Sequence, residues 1–307
     1  FPTRRSSDLK KTKENGKPGG DKVFLVFCYI FLGFMLVITL YPLYFVVIAS
    51  ISDPSKVSTG MVTLLPIGIN REGYRAVLQD PRIVRSFFNS VVYTVTGTIV
   101  NLIVTVPAAY SLSRGDLKGK KILLLYFMIP MFLSGGMIPT YFVVRGCHLL
   151  DSMWSLILPV GVSVYNLIIA RSFFQSTLSK ELLDAARIDG CSNTRFFVRI
   201  ALPLSKAILA ILVLYYGVSH WNSYFTAMIY LNDQRKFPFQ LILRDLLSQN
   251  QQITEIMQDQ SELLHKQQLA ELMKYSLIIL SSLPVMILYP FIQKYFVKGV
   301  MIGSLKE

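Results

Sequence analysis

The amino-acid sequence predicts an all-α polytopic membrane protein with six transmembrane helices. Of its 307 residues, 52% are hydrophobic and only 16% are charged, whereas soluble domains carry about 25% charged residues. A helix needs about 20 apolar residues to cross a bilayer core of about 30 Å. Six segments of at least 19 residues lack Asp, Glu, Lys and Arg altogether: 23–50, 86–113, 122–144, 152–170, 207–232 and 275–293.

The net charge of +13 follows the predicted topology and does not indicate a nucleic-acid partner. If the N-terminus is cytoplasmic, 20 of the 31 Lys and Arg residues lie in cytoplasmic segments and 11 in outer segments. Cytoplasmic loops of membrane proteins are enriched in these residues. We therefore expect a multi-pass protein of the plasma membrane, in contact with lipid, with both termini in the cytoplasm. Only the first outer loop, with five basic residues, departs from this trend.

The first 85 residues are predicted to form a leader, one span and an outer loop. Residues 1–22 form a polar cytoplasmic leader, of which residues 1–9 look unrelated to the rest and are treated as non-native. The first transmembrane helix, 23–50, contains Pro42, which indicates a kink. The extracellular loop, 51–85, has several prolines and one short predicted helix at 72–79.

Residues 86–296 are predicted to form the core domain, followed by a cytoplasmic tail at 297–307. The transmembrane helices of this core domain are predicted at 86–113, 122–144, 152–171, 205–231 and 274–293. The second of these contains Pro130, Gly135-Gly136 and Pro139, so we expect it to be broken, either as a packing kink or as a gate. An amphipathic stretch at 238–247 is either a helix covering a cavity mouth or membrane interface, or a surface helix in a solvated loop.

The sequence offers few of the residue constellations that an enzyme requires, which disfavours a membrane enzyme. The three histidines, His148, His220 and His265, lie in different segments without metal-ligand spacing. The sequence has neither a G-x-S-x-G nucleophile motif nor a G-x-x-x-x-G-K-[ST] phosphate loop. The six charge-free segments supply no charged residue inside the membrane, which favours a path for an uncharged solute over a proton-coupled carrier.

The cytoplasmic segment 179–203, between the fourth and fifth spans, predicts two short helices. Ser179 is placed to cap the first helix, which ends at Gly190, and Ser192 is placed to cap a second helix over 193–200. Several apolar residues lie in this polar loop, and helices this short are marginal alone in water. The segment is therefore expected to need a partner surface.

The same segment resembles a known family motif. Asp184-Ala185-Ala186, Gly190 and the run 200–203 (IALP) resemble the E-A-A-x-x-x-G…I-x-L-P motif of permease subunits of ABC importers, with Asp184 in place of the usual Glu. The stretches Asn89-Ser90, 109–114 (AYSLSR), Trp221-Asn222 and 293–304 are similar to the carbohydrate, maltose-type branch. Tyr224-Phe225 and the tail are most similar to lipoprotein-dependent oligosaccharide permeases of Gram-positive bacteria.

This resemblance implies the fold of a type I ABC importer permease and a set of partners. The partners are a second six-span permease subunit, a dimer of ABC ATPases and an extracellular solute-binding lipoprotein. No cofactor is expected on this chain, since ATP and Mg²⁺ belong to the ATPase. The resemblance also implies that Asp184, Ala185, Ala186 and Gly190 belong to a coupling helix that docks in a groove of the ATPase.

Four further residues of the coupling segment have two interpretations each. Arg187 and Arg195 either pair with acidic residues of the ATPase or are ordinary cytoplasmic positive charge. Phe196 and Phe197 either anchor in the ATPase groove, which we favour, or pack beneath the fifth span.

For solute contact, the sequence offers aromatic and amide side chains in the fourth and fifth spans. Sugars present C–H faces to aromatic rings and hydroxyls to amides. The candidates are Asn166, Tyr215, Tyr216, Ser219, Trp221, Asn222 and Tyr224. Aromatic residues are also frequent at membrane interfaces, and polar ones link helices, so these residues have a structural alternative. The alternatives for the whole chain are an ABC permease for an amino acid or peptide, and a self-sufficient secondary carrier.

Overall fold

The computed structural model describes residues 18–133, 135–253 and 260–304, and the regular elements in these ranges are all helical. Most of the predicted leader and the last three residues of the tail lie outside them. The first six helices are α1 (Pro18–Ser50), α2 (Pro54–Ser58), α3 (Glu72–Gln79), α4 (Pro81–Ser113), α5 (Lys120–Phe132) and α6 (Met137–Gly146). The others are α7 (Trp154–Ile157), α8 (Val164–Thr177), α9 (Lys180–Ile188), α10 (Asn193–Phe196), α11 (Leu202–Leu204), α12 (Lys206–Trp221), α13 (Phe225–Tyr230), α14 (Phe239–Ile253) and α15 (Gln260–Ser304).

Three helices are long and apolar enough to cross a membrane unaided, namely α1, α4 and the part of α15 over residues 268–291. Three bent pairs pass the same test when each pair counts as one span. They are α5 with α6, α7 with α8, and α10–α11 with α12. Counted in this way, the described ranges contain up to six candidate spans, the number that the sequence predicts.

The breaks within the spans were only partly predicted. The span over 122–144 is broken as expected, since α5 ends at Phe132 and α6 begins at Met137. The span over 152–171 bends by 52° between Val160 and Val164, which the sequence analysis missed. The helix expected over 205–231 ends at Trp221 and resumes as α13. The last helix runs well beyond both ends of the predicted 274–293.

The two short helices predicted in outer segments are present. The helix at 72–79 has the expected bounds, and the amphipathic stretch at 238–247 forms the first part of α14. Phe239 and Leu241 are buried, and α14 packs against α4 and α15. Because its apolar face is covered, α14 is part of the helix bundle and not a helix of a solvated loop.

Helix α4 lies at the centre of the bundle, where it packs against α8, α12 and α14. One large apolar cluster joins the end of α4 to the 179–203 segment. It contains Tyr110 of α4, Phe174 of α8, Ala186 of α9, Phe196 of α10 and Leu212 of α12. The predicted coupling segment is therefore packed directly onto the membrane helices.

Candidate functional site

The 179–203 segment folds as two short helices separated by a glycine turn, as the sequence predicts. The Ser179 hydroxyl accepts a hydrogen bond from the Leu182 amide at 3.3 Å and caps α9. Gly190 has a φ of +72°, in the left-handed region that glycine enters without steric cost. This conformation lets the chain leave α9 in a tight turn.

The second helix of the segment is also capped as predicted but has a different end. The Ser192 hydroxyl accepts a hydrogen bond from the Arg195 amide at 3.3 Å. The expected helix over 193–200 is α-helical only to Phe196, because the chain becomes a π-helical turn at Phe197–Ala201.

Of the two phenylalanines of this segment, Phe196 packs inside the protein, which corrects our preference for it as an anchor in a partner. Phe196 is 2% exposed and Phe197 is half-buried. The ring of Tyr110 lies 6.5 Å from that of Phe196 and 4.8 Å from that of Phe197, between centroids. Phe174 meets the Tyr110 ring edge-on at 5.8 Å. Phe196 therefore has no surface to offer a partner, and the alternative of internal packing is correct for it.

The face of the segment that remains exposed is small and mostly polar. Asp184, Ala185, Gly190 and Arg195 are exposed, whereas Ala186 is buried against the bundle. Ile188 is 88% exposed, and the sequence analysis did not select it as a site residue.

Arg187 makes its closest ion pair within the chain. Its Nη2 lies 2.6 Å from Asp116 Oδ2, in the loop that follows α4, and its Nη1 lies 3.8 Å from Asp184. Asp116 also accepts from Arg114 Nε at 2.8 Å and Nη2 at 2.6 Å. The guanidiniums of Arg114 and Arg187 hold the pKa of the Asp116 carboxyl well below its usual value.

A cavity of about 510 Å³ lies among α4, α8 and α9 beside this network. Its wall combines cationic and anionic side chains: Arg114, Asp116, Lys120, Lys180, Asp184 and Arg187. Lys120 donates to the backbone carbonyls of Ser113 and Arg114, at 3.3 and 3.0 Å. This lysine therefore holds the end of α4.

A second cavity, of about 480 Å³, lies between the broken fourth span and α12. Four of the seven predicted solute-contact residues line it: Asn166, Tyr215, Tyr216 and Ser219. The sequence analysis missed three further polar or aromatic lining residues: Ser163, Tyr165 and His220. No Asp, Glu, Lys or Arg from the described ranges lines this cavity.

Two tyrosines provide an aromatic wall for this cavity. The rings of Tyr165 and Tyr215 lie 6.3 Å apart between centroids and are tilted by 37°. Tyr165 is 56% exposed and Tyr215 is 37% exposed. The signal for Tyr165 was its position one residue before the predicted Asn166, at the start of α8.

Asn101 of α4 fixes the broken backbone of the fourth span. Its Nδ2 donates to the carbonyls of Val160 and Gly161 at 2.6 and 2.9 Å. Its Oδ1 lies 2.6 Å from His220 Nε2, and since that oxygen can only accept, the Nε2–H of His220 donates. These bonds satisfy carbonyls freed by the break in the span.

Tyr216 supports the cavity wall through its hydroxyl. This oxygen lies 2.7 Å from Thr105 Oγ1 and accepts a hydrogen bond from the Ser163 amide at 3.2 Å. Ser163 in turn caps α8. Tyr216 is buried, so it positions the start of α8 and offers little surface for a solute.

The remaining three candidates for solute contact lie elsewhere. Trp221 is buried and donates its Nε1–H to the Ser281 carbonyl at 2.9 Å, because α12 packs against α15 there. Asn222 caps the end of α12. Tyr224 lines a different cavity, of about 290 Å³, against α14. Trp221 is therefore a packing residue, which corrects the sequence-based expectation.

The described ranges offer no candidate metal site. They contain no group of three or more His, Cys, Asp and Glu side chains arranged to hold a metal ion.

Comparison with known proteins identifies the family. Residues 81–302 match the model of the binding-protein-dependent transport system inner membrane component family. The chain belongs to this family. It is therefore a membrane transport component, and the 179–203 segment and both cavities lie inside the matched region.

Individual relatives match this permease over nearly its whole length. Protein LplC of Bacillus subtilis (strain 168) is 38% identical over 296 residues, covering 96% of the chain and 98% of LplC. The polygalacturonan/rhamnogalacturonan transport system permease protein YtcP of the same organism is 38% identical, covering 93% and 99%. A chain from the crystal structure of a bacterial ABC transporter involved in import of the acidic polysaccharide alginate superposes with a TM-score of 0.81, 29% identity and coverage of 96% and 100%.

Proposed function

We propose that this chain is a permease subunit of an ATP-driven ABC importer for carbohydrate, in the form of oligosaccharides. The observation that carries the proposal is the uncharged cavity with a paired tyrosine wall, formed by Tyr165 and Tyr215. The names of similar proteins support it, since YtcP transports polygalacturonan and rhamnogalacturonan and AraQ transports arabinooligosaccharides.

The cavity suits a sugar better than an amino acid or a peptide. Aromatic faces stack on the C–H faces of a pyranose, and the amide of Asn166 and the hydroxyl of Ser219 pair with its hydroxyls.

Energy for transport is proposed to come from a separate ATPase that binds the exposed face of α9 and the following turn. Ala185, Ile188 and Gly190 form the contact surface, with Asp184 and Arg195 at its rim. Small side chains allow close approach, and Ile188 supplies an apolar anchor. ATP and Mg²⁺ would be held by that ATPase.

The complete machine is proposed to contain two six-span permeases, two ATPase subunits and an extracellular binding lipoprotein. The family description, a binding-protein-dependent system, supports the last of these. In this arrangement both termini and the 179–203 segment face the cytoplasm, in line with the Lys and Arg distribution.

Transport by the purified complex in proteoliposomes tests the proposal. We expect ATP-dependent uptake of oligosaccharides presented by the binding protein, and none of amino acids or peptides. Replacing both tyrosines of the cavity wall, Tyr165→Ala with Tyr215→Ala, should lower the uptake rate about tenfold, which corresponds to about 1.4 kcal/mol.

Tyr29→Ala is the matched control, because Tyr29 is an exposed tyrosine on α1, outside the cavity. Its uptake should equal that of the unaltered protein. Uptake by this chain without any ATPase would instead show a self-sufficient carrier, and an unchanged rate in the double tyrosine variant would remove the cavity from the path.

A further inference from the structure

An ion pair between Asp116 and Arg187 directly connects the loop after the second span (α4) to α9, without involving the fifth span. The two oxygens of Asp116, three residues beyond the end of α4, receive Arg114 from its own loop and Arg187 from α9. Asp116 and Arg187 are 71 positions apart in the sequence. This ion pair is thus a tertiary contact between two separate cytoplasmic segments.

On the α4 side of the Asp116–Arg187 ion pair, hydrogen bonds restrain Arg114 and the last turn of α4. Arg114 is nearly buried and donates from Nη1 to the Tyr110 hydroxyl at 2.8 Å, in addition to its bonds with Asp116. Arg171 of α8 donates from Nε to the Leu112 carbonyl at 3.1 Å. With Lys120 on the next two carbonyls, the last turn of α4 has its acceptors occupied.

On the α9 side of this ion pair, Arg187 lies beside the surface proposed to bind the ATPase. Arg187 is one residue from Ile188, and its side chain is about half exposed. A movement of α9 would therefore displace Arg187, and through it Asp116 and the end of α4.

The same helix carries the residues that shape the solute cavity. Thr105 and Asn101 of α4 bond to Tyr216, His220 and the broken backbone of the fourth span. Asn101 lies 12 residues before Ser113, or about 18 Å along the helix axis. A displacement at the end of α4 consequently reaches these bonds along one continuous helix.

From this geometry we propose that Asp116 is a positioning residue that transmits movement of the coupling helix to the second span, and so to the cavity wall. The proposal rests on the proposed coupling role of the 179–203 segment. Its distinctive claim is that the loop between the second and third spans takes part in transmission, in parallel with the fifth span.

The variant Asp116→Asn in the reconstituted importer is the first test. It removes the charge and keeps the shape of the side chain. We expect the ATPase to co-purify in normal yield and basal ATP hydrolysis to persist, while the amount of solute transported per ATP falls at least threefold. The melting temperature should hardly change, because ion pairs this exposed contribute little to stability.

Asp80→Asn is the matched control on the opposite end of α4. Asp80 and Arg82 form an ion pair of similar geometry, 2.8 Å between Oδ2 and Nη2, but it links residues two positions apart. Asparagine also preserves the N-cap of α4. Transport per ATP should therefore stay at the level of the unaltered importer.

A double-mutant cycle with Arg187→Gln separates a shared bond from two independent effects. If Asp116 acts through Arg187, adding Asp116→Asn to Arg187→Gln should lower transport per ATP no further. Asp116→Glu, which restores the charge, should recover most of the coupling.

The inference is overturned if Asp116→Asn transports with unchanged stoichiometry, or if its effect is additive with that of Arg187→Gln. Failure of the proposed function looks different, since the unaltered complex would then show no ATP-dependent uptake at all. A variant that loses assembly along with coupling, and is not rescued by Asp116→Glu, would also count against a positioning role.

Discussion

At the scale of single residues, Gly97 and His220 make a close contact beside the cavity lined by Tyr165 and Tyr215. A Cβ atom placed on Gly97 would lie 2.5 Å from Nε2 of His220 and 2.6 Å from its Cε1. The imidazole has no room to yield, because it is buried and bonded to Asn101 at 2.6 Å. Glycine is therefore required at this crossing of α4 and α12.

We expect Gly97→Ala to destabilise the protein and to impair uptake. Alanine gains about 1 kcal/mol in helix propensity, but forcing a group into a packed site costs typically 1–3 kcal/mol and here also displaces the His220 bond. The melting temperature of the purified importer and its solute uptake measure the two effects.

Gly33→Ala is the control for Gly97→Ala, since a Cβ on Gly33 of α1 meets no atom within 4 Å. Helix propensity acts alone at that position, so stability should be unchanged or slightly raised. A Gly97→Ala importer that melts and transports normally would show that the α4–α12 crossing is looser than the structure indicates.

The sequence showed which types of side chain occur in the fourth and fifth spans, but it did not show which helices those side chains contact. The aromatic and amide composition of the fourth and fifth spans pointed to Tyr215, Asn166 and Ser219 for solute contact, and the structure places all three on one cavity. It also pointed to Trp221, which faces α15. Helix periodicity shows which residues share a face, but the helix that covers this face depends on long-range packing, which one sequence does not reveal.

At the scale of the helices, the turn between α9 and α10 depends on Gly190. Its left-handed conformation joins two helices whose caps and internal packing are otherwise complete. A Cβ at this position would meet no atom within 4 Å, so the requirement for glycine arises from the backbone alone.

We expect Gly190→Val to uncouple ATP hydrolysis from transport while leaving membrane insertion intact. A β-branched residue disfavours positive φ, so the turn and the exposed face of α9 would shift. Transport per ATP in proteoliposomes is the measurement. Gly190→Asn is the control, because asparagine tolerates this conformation and should retain most of the coupling. Equal losses in both variants would show that the side chain, and not the backbone, is at fault.

The breaks in the spans show which bends of a helix can be predicted from its own sequence and which cannot. Pro130, Pro139 and the Gly135-Gly136 pair predicted the break in the third span. The fourth span carries only Pro159 and Gly161 in an otherwise apolar run, a signal too weak to separate from ordinary packing. Its bend is fixed by Asn101, from a helix about 60 residues earlier in the chain. Such a long-range partner is invisible to local periodicity.

At the scale of the whole molecule, the distribution of charge predicts the orientation in the membrane. The 20 Lys and Arg residues of one set of loops against 11 of the other favour a cytoplasmic position for the 179–203 segment. The same orientation places Cys147, directly after α6, outside the cell. Cys147 is exposed and is one of three free cysteines in the chain.

We expect a membrane-impermeant maleimide to label Cys147 in intact cells when Cys28 and Cys191 are replaced by serine. In a cysteine-free background, Asn193→Cys should be labelled only in inverted vesicles, because Asn193 is exposed and the predicted orientation places it on the cytoplasmic side. Mass spectrometry of the purified chain measures both reactions. Labelling of residue 193 from outside would reverse the topology and place the surface proposed for the ATPase beyond the reach of cytoplasmic ATP, so this experiment tests the orientation on which coupling depends.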